Sequence, residues 1–140
     1  MKHRIIYVSR SHEKMPLDLK DILATSRRNN AANRISGAMT HLDGVYMQYL
    51  EGEEGVVHAL YTKILDDPRH TAPRLLTRDA ITARAFSDWS MGLFTWDNQT
   101  TAIYRAFNPE EDMDLYRIRP ETAAVCFQAL ARSANWLPPD

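Results

Sequence analysis

Three amides and a phenol offer the clearest chemistry in this chain: Tyr7, the adjacent pair Asn29-Asn30, and Gln48. A carboxamide presents N–H donors and a carbonyl acceptor together, so a few of them can match a ligand edge whose polar groups alternate. Gln48 falls on a core-directed position of a strand, where a buried polar group left unpaired costs about 1–3 kcal/mol. Its amide therefore either bonds the neighbouring backbone or touches the polar edge of a ligand, where it can rotate or tautomerise. Tyr7 offers the same choice, between a core ring with its hydroxyl on a backbone carbonyl and a phenol that yields an electron and a proton together to a strong acceptor. Asn29-Asn30 reads equally as a helix C-cap, because asparagine tolerates the left-handed conformation.

Other chemistry finds less support. His3, His12, His41, His58 and His70 are scattered without ligand spacing, so no metal site is expected. No glycine-rich phosphate loop is present. Glu51, Glu53 and Glu54 form an acidic group, but acids suit the first turn of a helix and need no catalytic reading. Arg69-His70 either complement a helix end or line the mouth of a cleft beside it. Cys126, flanked by small and aromatic residues, is expected to be a buried thiol.

The 140 residues suit one domain, with 44% hydrophobic and 25% charged residues as in ordinary soluble globules. A net charge of −1 gives no basic footprint, so direct nucleic-acid binding is not expected. One cysteine suits a reducing compartment. No apolar run approaches the ~20 residues of a membrane helix, and the start lacks a signal-peptide pattern. A cytoplasmic protein is expected.

These side chains need elements to hold them. His3–Ser9 is rich in β-branched residues and predicts a strand, followed by a polar loop to Pro16. From Leu17, the spacing of Leu19, Ile22, Leu23 and Ser26 predicts a helix ending at Asn29-Asn30. Arg34–Leu42 and Val45–Leu50 flank Asp43-Gly44, a strong hairpin signal. Glu51–Glu54 is expected to open a second helix, with Val56, Val57, Leu60, Ile64 and Leu65 apolar and Asp66-Asp67-Pro68 as its stop. Arg74–Ala83 and Ser90–Trp96 complete a β-α-β-β-α-β-β order. That is an α/β (α+β) ferredoxin-like sandwich, with two helices on one sheet face and a C-terminal helical tail.

The pleat sorts the hairpin's side chains. A two-residue turn at Asp43-Gly44 puts Gly37, Met39, Gln48 and Leu50 on one face, and Ala38, Leu42, Val45, Met47 and Tyr49 on the other. The second set is too apolar for open water. Its expected cover is a helix from Pro120, carrying Ala123, Phe127, Leu130 and Ala134, or a second subunit in a homodimer.

Six segments, in one order, resemble the BLUF family of blue-light sensors. They are Arg4–Ser9, Ser26–Asn30, Ile35-Ser36-Gly37, Gln48-Tyr49-Leu50-Glu51-Gly52-Glu53, Asp67-Pro68-Arg69-His70 and Phe86-Ser87-Asp88-Trp89-Ser90-Met91-Gly92. The loop after Tyr7 is about one residue shorter than the family's, and Gly44-Val45-Tyr46-Met47 stands for its G-x-F-x; neither touches a matched flavin contact. The resemblance implies a non-covalent flavin, FAD with FMN possible in the same contacts, in a slot between the two helices. Asn30, Asn29, Ile22, Ser26, Asp67, Arg69 and His70 would bind it. Tyr7 and Gln48 would be the photoactive pair, and Trp89, Ser90 and Met91 the signal relay. It further implies a sensor rather than an enzyme, residues 1–97 as the flavin unit with 98–140 as an extension, and a separate downstream partner, as in short stand-alone members. The alternatives are a small acylphosphatase-type enzyme, disfavoured by a first loop without glycine, and a structural or adaptor module of the same fold.

Overall fold

A computed structural model describes residues 1–10, 19–67, 71–87, 90–109 and 113–136. The chain runs β1 (Lys2–Arg10), α1 (Leu19–Ala32), β2 (Ser36–Leu42), β3 (Val45–Glu53), α2 (Glu54–Leu65), β4 (Thr71–Ala80), β5 (Gly92–Thr95), α3 (Asn98–Phe107), α4 (Ala123–Ser133) and β6 (Asn135–Trp136), with short 3₁₀ turns at Leu115–Arg117 and Pro120–Thr122. The sheet order is β4-β1-β3-β2-β5-β6. The first four strands are antiparallel neighbours in the ferredoxin-like manner, and β5 joins β2 in parallel.

The hairpin forms as its turn chemistry requires. Asp43 and Gly44 take φ of 49° and 84°, the two positive values a type I′ turn demands. The register that follows pairs Leu42 with Val45, Met39 with Gln48 and Gly37 with Leu50. Gly37 is required by the close approach of β3. A Cβ there would collide with the Tyr49 carbonyl oxygen on β3.

Two apolar layers sandwich the sheet. Ile5, Tyr7, Met39, Tyr46 and Leu50 meet Ile22 and Leu23 of α1 and Val57, Leu60, Tyr61 and Ile64 of α2. On the opposite face Ile6, Val8, Ala38, Val45, Met47 and Tyr49 pack with Phe94, Tyr104, Ala123, Phe127 and Leu130. The tail therefore covers the back face, with Leu42 and Ala134 packed at its margin. The face needs no second subunit for its burial.

Several boundaries differ from the sequence reading. Helix α1 continues through Asn29-Asn30 to Ala32. Ala31 and Ala32 are strong helix formers, and the left-handed residue is Arg34, at φ 56°. Glu51, Gly52 and Glu53 are the end of β3, because β1 runs on opposite them to pair Lys2 with Glu53. Helix α2 begins only at Glu54, and Val56 and Leu65 lie exposed off its apolar stripe. Strand β4 lies three residues earlier than expected at each end, and β5 is shorter. Pro120 opens a 3₁₀ turn before α4.

Helix α3 and strand β6 were not anticipated. Asp97 starts α3 through a capping box, accepting from the Thr100 amide at 2.9 Å while the Thr100 hydroxyl accepts from the Asp97 amide at 2.8 Å. Residues 11–16 of the expected first loop, Leu17 of the first helix, and 110–112 of the acidic linker lie outside the described residues.

Candidate functional site

The site begins with a cross-strand pair. Tyr7 on β1 lies directly opposite Gln48 on β3, and Gln48 lies directly opposite Met39 on β2. By the strand's two-residue period, all three side chains share the helix-facing layer. Tyr7 is fully buried and Gln48 nearly so, at 0% and 2% exposure. A β-bulge between Ile6 and Tyr7 shifts the β1–β4 register at this point, a common way to re-aim a strand beside a site.

Burial pushes the Tyr7 phenol well above its ordinary pKa, and Tyr61, Asp67 and Tyr46 add to the shift. The ring of Tyr7 tilts against that of Tyr61 on α2, with centroids 5.3 Å apart. The phenol therefore keeps its proton throughout the physiological range.

Above Gln48 lies a narrow slot of about 100 Å³. One wall is an α1 stripe, Ile22, Thr25, Ser26, Asn29 and Asn30, at three- and four-residue spacing. The other wall is Leu60, Lys63, Ile64 and Asp67, from α2 and the residues after it; Gln48, Leu50 and Met91 close the floor. What enters such a slot must be thin. Asn30 is buried while Asn29 stands exposed at the rim.

The α1 wall is tied to the chain entering β5. Asn30 Nδ2 donates to the Ser90 carbonyl at 2.7 Å. One turn earlier Arg27 Nε donates to the Met91 carbonyl at 3.0 Å. The Asn30 amide keeps one further N–H and its carbonyl for other partners. Among the described residues, the Gln48 side chain makes no hydrogen bond. An amide so buried and facing a slot suits the polar edge of a bound ring.

The structure thus brings together Tyr7, Gln48, Asn29, Asn30, Ile22, Ser26, Asp67 and Met91, with Ser90 joined through its carbonyl. Arg69, His70 and Trp89 lie outside the described residues. Sequence reasoning missed Arg27 and the lining residues Thr25 and Lys63. The helical spacing from Ile22 to Asn29 was the available signal for Thr25. Glu51, expected in the first turn of a helix, is instead a fully buried strand residue.

Among the described residues, no group of three or more His, Cys, Asp or Glu is placed to hold a metal ion, and no helix is long and apolar enough to cross a membrane. A larger cavity, about 520 Å³, lies away from the slot, between Phe86 and the Gln128, Arg132 and Trp136 side. The slot, unlike that cavity, is lined by two buried amides, Asn30 and Gln48.

A ferredoxin-like sandwich with a thin, amide-lined slot between its helices is a small-ligand-binding domain, and its relatives give the ligand class. The family model described as "Sensors of blue-light using FAD" matches residues 3–92, and the chain belongs to this BLUF family. The matched residues therefore form a blue-light-sensing domain of the kind that uses FAD, rather than an acylphosphatase-type enzyme.

Photoactivated adenylate cyclase subunit beta of Euglena gracilis is 32% identical over 111 residues, 78% of this chain and 12% of that protein. The chain thus spans about an eighth of the length of such relatives. The solved structure of the BlsA photo-activated state matches with a TM-score of 0.87 and 27% identity, covering 99% of this chain and 100% of that one. The dark-state structure of BlrB, a BLUF protein, matches with a TM-score of 0.72 and 29% identity, covering 94% and 96%.

Proposed function

We propose that the slot holds FAD without a covalent bond, and that Tyr7 and Gln48 convert absorbed blue light into a reversible change of hydrogen bonding. FMN would satisfy the same ring contacts. The observation that carries this reading is the Gln48 amide, 2% exposed, directly opposite Tyr7 and without a hydrogen bond among the described residues. Asn30 and, at the rim, Asn29 would hold the ring's polar edge. Ile22 and Ser26 would pack on its plane. Asp67, Arg69 and His70 would meet the remainder of the molecule.

Bound and excited, a flavin supplies a strong oxidant. Tyr7 would give up an electron to that oxidant, and its phenolic proton would pass by way of Gln48 to the bound ring, since burial disfavours a charge on Tyr7. With the ring bound, the Gln48 carbonyl would accept the phenol's hydrogen bond, and the amide would turn or tautomerise while Tyr7 is oxidised. Once Tyr7 regains its electron and proton, the Gln48 amide is left in its new arrangement. No covalent bond has formed, so the dark arrangement returns thermally.

The altered bonding would pass to Ser90, Met91 and Trp89, and from β5 into residues 98–140. The signal would then reach a separate partner protein. A slight red shift of the flavin absorption under blue light reports the new state. Gln48→Leu removes donor and acceptor at constant bulk and should keep the yellow colour while abolishing the shift. A normal shift in Gln48→Leu would sink the mechanism.

A further inference from the structure

Glu51 stands three residues beyond Gln48 on β3, fully buried, with its side chain on the opposite face of the sheet. Its carboxylate is fully engaged. Oε1 accepts from the Ala85 amide at 2.8 Å, and Oε2 from the Phe86 amide at 2.6 Å and the Ser36 hydroxyl at 3.1 Å. Arg84 Nη1 donates to Ser36 Oγ at 3.0 Å and to the Glu51 carbonyl at 3.4 Å. Residues 84–86 belong to no strand or helix. One acid on β3 therefore gathers the backbone of the connection that leads from β4 towards Ser90.

The gathered segment delivers an aromatic ring to the tail. Phe86 is held edge-on to Tyr49 with centroids 5.0 Å apart, to Phe127 of α4 at 5.9 Å and to Trp136 of β6 at 6.4 Å. Tyr49 follows Gln48 in the chain, and its hydroxyl accepts from Gln128 of α4 at 3.0 Å and from Arg4 at 3.3 Å. Phe86 and Trp136 also line the 520 Å³ cavity, with Gln128 and Arg132. Any shift of the carboxylate against the Ala85 and Phe86 amides must reshape that cavity.

We infer that Glu51 is a positioning residue through which β3 passes the light-induced change to the back layer, by altering its hydrogen bonds to the Ala85 and Phe86 amides. This rests on the proposed Gln48 switch and adds a second exit from it, separate from Ser90 and Met91. A carboxylate is suited to the task. It accepts several charge-assisted bonds at once, so a small displacement redistributes them without leaving a buried donor unpaired.

The test uses the flavin-loaded chain, with glutamate ¹³C-labelled at the side-chain carboxyl. Light-minus-dark infrared spectra should show a carboxylate band that moves with the label and disappears in Glu51→Gln. Amide exchange at Ala85 and Phe86 should change at least several-fold between dark and light in the unaltered chain, and lose that difference in Glu51→Gln. The flavin red shift should remain in the variant. Where Glu51→Gln does not fold, Ser36→Ala removes one donor to the carboxylate and should shift the same band. A normal red shift with no Glu51-dependent band, or with light-dependent exchange at Ala85 and Phe86 unchanged in Glu51→Gln, overturns the inference alone. Absence of the red shift in the unaltered chain overturns the switch itself.

Discussion

Tyr7 and Gln48 are direct partners across the β1–β3 ladder, both on the helix-facing side of the sheet and both buried. Residues so paired hold their Cβ atoms about 4.5–5.5 Å apart. The backbone ladder, rather than a mobile loop, sets their approach, so the pair is arranged before any ligand arrives.

The phenol's role is tested by Tyr7→Phe, which keeps the ring and removes the proton. Bound flavin should remain and the red shift should vanish. The pH profile gives a second measure. Burial raises the folded-state pKa of Tyr7 well above 10.0, the ordinary value, so the phenol's contribution to stability is complete below pH 10 and is lost as pH rises towards the folded value. Spectroscopic titration should find the amplitude of the red shift level from pH 7 to about 10, where an exposed tyrosine would already be ionising.

Asn30 joins two tasks, the slot and the Ser90 carbonyl at 2.7 Å. Asn30→Ala should weaken flavin binding by about 0.5–1.5 kcal/mol for each amide bond lost, roughly a two- to tenfold rise in Kd per bond. Asn29→Ala, at the exposed rim, should cost less. Equal affinities for both variants and the parent, measured by fluorescence quenching on titration, would remove the asparagines from the site.

The back layer is held by aromatic packing, with Phe127 touching Tyr49, Phe86 and Phe94 at centroid distances of 5.3 to 5.9 Å. Phe127→Ala should destabilise the fold by about 3–5 kcal/mol, while Val125→Ala, on the exposed side of the same helix, should stay within about 0.5 kcal/mol. Denaturant midpoints distinguish the two. Equal midpoints would deny the tail a structural role.

Cys126 is pushed up to about 12 by burial, partly offset by a hydrogen bond from Asn108. The folded thiol should resist alkylation at pH 8 and react fully in denaturant. Because the folded value is the raised one, this group's contribution to stability is complete below its unfolded value of 9.0. It is lost as pH climbs from there towards about 12.

The hairpin and its two faces were legible because Asp43-Gly44 leaves little choice of turn, and the turn fixes every pairing behind it. The Tyr7–Gln48 relation was less so. Sequence put Gln48 on a core-directed position but left the direction of Tyr7 open; their direct opposition depends on where β1 stops, and β3 was read as ending at Leu50. Glu51 and Glu53 were misread because acids at a strand's end and at a helix start look alike until the partner strand is known. Asn29-Asn30 was read as a stop although Ala31-Ala32 carry the helix on. Helix α3 was hidden by its polar first turn, Asn98-Gln99-Thr100-Thr101, although Asp97 caps it and Ile103, Tyr104 and Phe107 pack inward. Strand β6, two residues long, leaves no pattern to read.

The alternation along β3 has an evolutionary consequence. Its even-numbered residues, Tyr46, Gln48 and Leu50, belong to the helix layer, while Met47, Tyr49 and Glu51 belong to the tail side. Two independent messages are spelled in one strand by taking letters in turn. Substitutions can therefore retune what the tail presents to a new client while leaving the optics untouched. A single inserted or deleted residue in β3 would exchange the two messages and destroy both at once. Lineages of this sensor should thus diverge through replacements in this strand and keep its length fixed.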